Sequence, residues 1–137
     1  MINSFASEEL LIKYLNACDI YVTPYPNENQ ISSGTLSFAI GAGAAVISTP
    51  YWYAKDLLAE ERGLLFPFKD AKALSLTINQ LFKDPDLLRR YRNNAATYGR
   101  QISWSNIGKL HLNLIESLKQ NKLVASMFPS NHHRLSS

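Results

Sequence analysis

Ser32, Ser33, Gly34 and Thr35 stand together in the stretch QISSGTLSFAIGAG, residues 30–43, directly ahead of a run of helix-forming residues. A helix beginning near Ser33 points several unpaired backbone N–H groups outward, with about half a positive charge of dipole behind them. Such a terminus holds anions, and phosphate above all. Gly34 has no side chain to block a close approach, and Ser32, Ser33 and Thr35 add hydroxyl donors. The same residue types also begin helices by capping alone, so an ordinary strand-to-helix turn remains the competing reading. The sequence lacks G-x-x-x-x-G-K-[ST], which argues against a P-loop nucleotidase.

Other chemistry-bearing residues are sparser. Tyr51, Trp52 and Tyr53 follow the next apolar run, where aromatic faces could stack on a sugar or base or simply cover a sheet. Cys18 is the single cysteine, which leaves no intramolecular disulfide and reads as a small packed residue. His132 and His133 are adjacent but have no further ligands nearby in sequence, so neither a metal site nor a cofactor is expected.

The elements that position the serine-glycine turn follow from local signals. Ser7 can cap a first helix whose Leu10, Leu11, Tyr14 and Leu15 recur at helical spacing. IYVTP, introduced by Asp19, is a β-branched and aromatic strand stopped by Pro24. A loop rich in proline and asparagine follows, then a short helix ending at Gly41 or Gly43. AAVIST reads as a strand covered on both faces, YWYAKDLLA as a short helix and GLLFPF as a third strand. Asp70, Asp84 with Pro85, and Ser103 each open a further helix. Beyond Lys122 the periodicity fails, so residues 122–137 are expected to form a disordered tail.

Strands alternating with helices imply an α/β fold with a Rossmann-like parallel sheet and flanking helices. In such sheets ligands lie beyond the carboxyl ends of the strands, where IYVTP delivers its end to the serine-glycine turn. Three strands form a thin sheet for so many helices, which points to part of a larger fold or to association with another chain. The formal net charge of +3 is too small to imply a nucleic-acid partner. The basic run LLRRYRNN fits a solvated helix face, though peripheral contact with an anionic membrane stays open. FAIGAGAAVI falls far short of the roughly 20 residues that cross a bilayer, and MINSFASEEL lacks the pattern of a signal peptide. The expected setting is cytoplasmic.

The order EELLIKYLNACDIYVTPY, SGTLSFAIGAGAAVIST, GLLFPFKDAKAL, DPDLLRRYRNNA and ISWSNIGKLHLNLIE resembles the C-terminal domain of family 4 glycosyltransferases of the GT-B fold. The likeness runs from about residue 5 to residue 118, and assigns residues 1–121 to a partial domain of that kind. It implies a domain that binds a nucleotide-sugar donor, with the diphosphate at the helix start and transfer to a hydroxyl acceptor with retention. The implied donor contacts are Gln30, Ser32, Ser33, Gly34, Thr35 and Leu36.

The family carries two glutamates eight positions apart around a glycine-rich turn, and here those positions hold Gln30 and Phe38. Gln30 can still hydrogen-bond a sugar hydroxyl, whereas Phe38 cannot accept from a ribose. Glu28 and Gln30 are therefore the candidates near the reacting centre, with Glu28 as a solvated loop acid the competing reading. The family's acceptor domain and the basic pair that neutralises the leaving diphosphate precede the part resembled here. The expectation is a chain incomplete for catalysis alone, which needs an N-terminal acceptor domain or a partner chain. The alternative is a non-catalytic interaction module that pairs with another chain through its sheet edge or last helix.

Overall fold

Capping side chains set the boundaries of the helices. In a computed structural model that describes residues 6–127, Ser7 Oγ accepts from Leu10 N at 3.3 Å and opens α1, Glu8–Ala17. Strand β1, Ile20–Thr23, then runs into the Pro24 to Ser33 loop and helix α2, Gly34–Gly41. Strand β2, Ala45–Ser48, is followed by α3, Trp52–Leu57, and by β3, Leu64–Leu65. Asp70 Oδ1 accepts from Ala73 N at 2.8 Å to open α4, Ala71–Lys83. Asp84 Oδ1 accepts from Leu87 N at 2.9 Å to open α5, Pro85–Gln101, where the missing N–H of Pro85 is no loss.

The three strands pair in the order β1-β2-β3 and all run parallel. Val46 pairs with Tyr21, and Ile47 lies between Val22 and Leu64. Side chains alternate across a strand, so central β2 feeds two cores. Ala44 and Val46 join Leu15, Leu36, Ile40, Tyr51, Leu57 and Ala95 on one face. Ala45 and Ile47 join Phe66, Leu81 and Tyr91 on the other. Every residue of β2 is buried, as the uninterrupted apolar run AAVI requires when helices cover both faces. The fold is thus α/β, a small parallel sheet with flanking helices in the manner of a partial Rossmann-like domain.

GLLFPF is strand only at Leu64 and Leu65, shorter than its composition suggests. Phe66 N still donates to Ser48 O at 3.0 Å, but Pro67 has no N–H with which to continue the ladder.

Two glycines fix α2 against its neighbours. A Cβ at Gly99 of α5 would fall 2.7 Å from Ile40 O and 2.9 Å from Gly41 Cα, so only glycine lets the two helices cross here. Gly43 turns the chain from α2 into β2 with a φ of 69°, a left-handed conformation that glycine adopts freely.

Between α3 and β3, Glu60 and Glu61 adopt left-handed φ values of 55° and 57° and turn the chain back toward the sheet. Arg62 anchors the turn. Its Nε donates to Leu57 O at 2.8 Å and one of its terminal nitrogens donates to Asp56 O at 2.9 Å, satisfying carbonyls at the end of α3. The guanidinium also pairs with Glu60 at 2.8 Å and lies 4.1 Å from the Tyr98 ring centroid.

The chain divides after Ser103 into two units. The second holds α6, Trp104–Met127, in which Ser117 Oγ donates to Asn113 O at 2.8 Å and the His111 ring contacts Ile107 O, also at 2.8 Å. The helix runs past Lys122, where the sequence periodicity fails; residues 128–137, with His132 and His133, lie outside the described residues.

Candidate functional site

The serine-glycine turn sits where the sheet delivers it. β1 ends at Thr23, the loop crosses to Ser33, and α2 begins at Gly34, so the helix start lies at the carboxyl-end rim of a parallel sheet. Ser33 is the N-cap, extended at φ −146° and ψ 105°, and its Oγ accepts from Leu36 N at 3.3 Å. Its carbonyl accepts from Ser37 N at 3.2 Å and from Ser37 Oγ at 3.2 Å. Gly34 N and Thr35 N precede the first intrahelical donor and are not taken by this cap. Gly34 is exposed, and a Cβ added there would meet nothing within 4 Å.

The side chains that hydrogen-bond within this turn are all neutral. Ser33 Oγ lies 3.3 Å from Thr35 Oγ1, and Ser37 Oγ lies 2.6 Å from the Tyr53 hydroxyl. Gln30 Nε2 donates to Ser32 O at 2.6 Å and so braces its own loop. Backbone amides and the helix dipole add positive potential at this point.

The residues expected from sequence divide by position. Ser32, Gly34 and Thr35 are exposed at the helix start, Gln30 is half-buried beside them, and Ser33 is buried beneath as the cap. Leu36 is fully buried in the core and its amide is tied to Ser33 Oγ. Its contribution is to seat the helix. Glu28 lies exposed in the loop, close to the turn made by Asn29 N donating to Asn27 Oδ1 at 3.1 Å. Phe38 is 39% exposed on α2.

The three consecutive aromatics part company. Tyr51 is fully buried and meets Tyr25 edge to face, with centroids 4.9 Å apart at 71°. Trp52 is 70% exposed and, with Asn29 and Ile31, lines a shallow hollow of about 460 Å³. Tyr53 is half-buried and fixed by its bond to Ser37. A second hollow, of about 330 Å³, is lined by residues that follow all three strands, among them Tyr25, Thr49, Phe66 and Lys69.

Beneath the cap lies a feature the sequence did not announce. The Tyr51 hydroxyl is buried without a hydrogen-bond partner among the described residues. Burial raises its pKa above the ordinary 10.0, and the neighbouring hydroxyls of Ser33 and Ser48 pull the other way. Neither completes an aligned bond with it. The single hydrogen of Ser48 Oγ is shared between Thr23 O at 3.2 Å and Thr49 O at 3.0 Å.

Residues 2–98 match the family model described as glycosyl transferases group 1. No curated protein matches the chain at a significant level. Among the described residues, no three His, Cys, Asp or Glu side chains cluster so as to hold a metal ion. No helix of the described residues is long and apolar enough to cross a membrane.

Proposed function

Since the chain belongs to the glycosyl transferases group 1 family, we propose that its sheet unit is the donor-binding side of a GT-B glycosyltransferase. In this reading the donor is a nucleotide sugar whose diphosphate is held by the amides of Gly34 and Thr35. The hydroxyls of Ser32, Ser33 and Thr35 complete the cradle. The observation that carries this is the start of α2: an amide-lined helix end at the strand-end rim, with open space where a Gly34 side chain would stand.

The rest of the donor extends from that point. Gln30, released from Ser32 O, reaches a hydroxyl of the donor sugar, and Glu28 is the nearest carboxylate along the loop. Trp52 offers an exposed ring for stacking on the sugar or base. The reaction breaks the bond between the anomeric carbon and the diphosphate oxygen and forms one to an acceptor hydroxyl on the same face, with retention. The diphosphate departs with the electron pair of the broken bond, and its leaving oxygen takes the proton that the acceptor hydroxyl gives up.

A departing diphosphate needs preorganised positive charge, and one such contact is typically worth about 3 to 4 kcal/mol. The turn's own side chains are neutral, so a cationic group from an acceptor-binding domain or partner chain completes the site. We place the protein in the cytoplasm, which its single cysteine supports.

Calorimetric titration of the full chain with uridine, adenosine and guanosine diphosphates tests the reading. Binding of at least one in the micromolar to millimolar range is expected. A folded sample that gives no heat with any of them refutes the donor site and favours an interaction module.

A further inference from the structure

Resting on the donor-site reading, we propose that Tyr51 is a positioning residue: its buried hydroxyl donates to Ser33 Oγ when an anion loads at the start of α2, and so aims the Ser33 proton at the ligand. A serine hydroxyl has one hydrogen to give and two lone pairs to receive. One lone pair of Ser33 Oγ takes Leu36 N–H at 3.3 Å. Without a ligand, the Ser33 and Thr35 hydroxyls share one contact at 3.3 Å, which uses the hydrogen of one of them.

Tyr51 supplies what the second lone pair lacks. Its ring is locked by full burial and by the edge contact with Tyr25, and its hydroxyl lies beside Ser33 with no aligned partner. Buried hydroxyls are nearly always bonded, so one left unsatisfied next to a candidate ligand site calls for an explanation. Ser48 Oγ, whose one hydrogen is shared between Thr23 O and Thr49 O, makes no aligned bond with Tyr51, so the phenol is unsatisfied while the site is empty.

An anion at the amides of Gly34 and Thr35 reorganises this set. Ser33 and Thr35 each turn a hydrogen toward it and break their mutual contact. Ser33 Oγ is then polarised as a donor and becomes the better acceptor for Tyr51 O–H. Two acceptances and one donation saturate Ser33, and the chain from Tyr51 through Ser33 to the ligand is complete. The arrangement is proton-neutral; no group changes its charge.

The test combines stability with binding, because the two readings of Tyr51 move them differently. The probes are inorganic pyrophosphate and the nucleoside diphosphate that binds the wild-type chain best, titrated into the full-length wild type, Tyr51→Phe, Ser33→Ala and the double variant. Each is also melted without ligand. Tyr51→Phe is expected to melt at or above the wild-type temperature, since an unsatisfied hydroxyl has been removed, and to bind about five- to tenfold more weakly. In the Ser33→Ala background the same change is expected to alter affinity by less than about twofold, because the chain is already cut.

A Tyr51→Phe variant that binds like the wild type overturns the proposal. So does one that loses affinity equally with and without Ser33. A lowered melting temperature with unchanged binding shows a structural hydroxyl instead. If the wild-type chain binds neither probe, the donor-site reading itself fails and takes this inference with it.

Discussion

Replacing Gly34 by leucine separates a ligand cradle from a plain helix cap, because the two readings give the residue different work. A Cβ at Gly34 meets no atom within 4 Å, and its φ lies outside the left-handed region. A side chain is therefore tolerated by the fold. Substituting glycine at such a site usually stabilises a protein by about 0.4 to 1 kcal/mol through the unfolded chain.

Binding should respond in the opposite sense. The leucine side chain projects from the first residue of α2 into the space faced by the Gly34 and Thr35 amides. A hydrogen bond to a charged group contributes about 1.5 to 3 kcal/mol, so displacing the anion from one amide weakens binding about tenfold to a hundredfold. Gly34→Ala, which adds a single methyl group, should lose less than Gly34→Leu. Titration calorimetry with the best-binding nucleoside diphosphate reads affinity, and a thermal melt without ligand reads stability. The reasoning is refuted if Gly34→Leu melts at the wild-type temperature or higher and still binds within twofold of the wild type.

Further outcomes follow from packing and titration. Gly99→Ala places a methyl group 2.7 Å from Ile40 O and 2.9 Å from Gly41 Cα, both backbone atoms, so overpacking of about 1 to 3 kcal/mol should exceed the roughly 1 kcal/mol gained in helix propensity. Urea melts showing an unchanged or higher midpoint would contradict that crossing. Tyr51 and Tyr91 have pKa values raised above 10.0, both chiefly by burial, with the Glu61 carboxylate adding to the rise at Tyr91 and the Arg90 cation opposing it. The unfolded chain then ionises first, so these phenols stabilise the fold fully below pH 10, and that stability falls as pH climbs through the folded values. Tyr51→Phe should make the decline above pH 10 shallower, as read by urea melts across that range, and an equal slope would argue against burial as the cause.

The placement of α2 was legible because its signals are local. A strand ended by Pro24, a loop, and a serine before Gly34 sufficed to place α2, since capping and turn chemistry act over three or four residues. The two-sided burial of β2 was likewise written in its unbroken apolar run.

What was hidden depends on distant neighbours. Tyr51, Trp52 and Tyr53 are alike as sequence, yet one is sealed in the core, one is 70% exposed and one is tied to Ser37. Their fates are set by direction at a helix start, with Tyr51 the N-cap position of α3 and the other two on its first turn. Arg62 gave no sign that it would be buried under two carbonyls and against Tyr98, a residue far along the chain. GLLFPF looked like a full strand because composition does not reveal how early Pro67 closes the ladder. The unsatisfied Tyr51 hydroxyl is a property of packing alone, with no pattern in the sequence to mark it.

Where an anion lands decides whether the start of α2 is a ligand site. Amide spectra of the isotope-labelled chain, recorded while inorganic pyrophosphate is added, report that position residue by residue. The largest shifts should belong to Gly34 and Thr35, with smaller ones at Ser32, Ser33 and Leu36. Shifts centred on another helix start, such as Ala71 to Ala73 of α4, or none at any concentration up to tens of times the protein's, would contradict it.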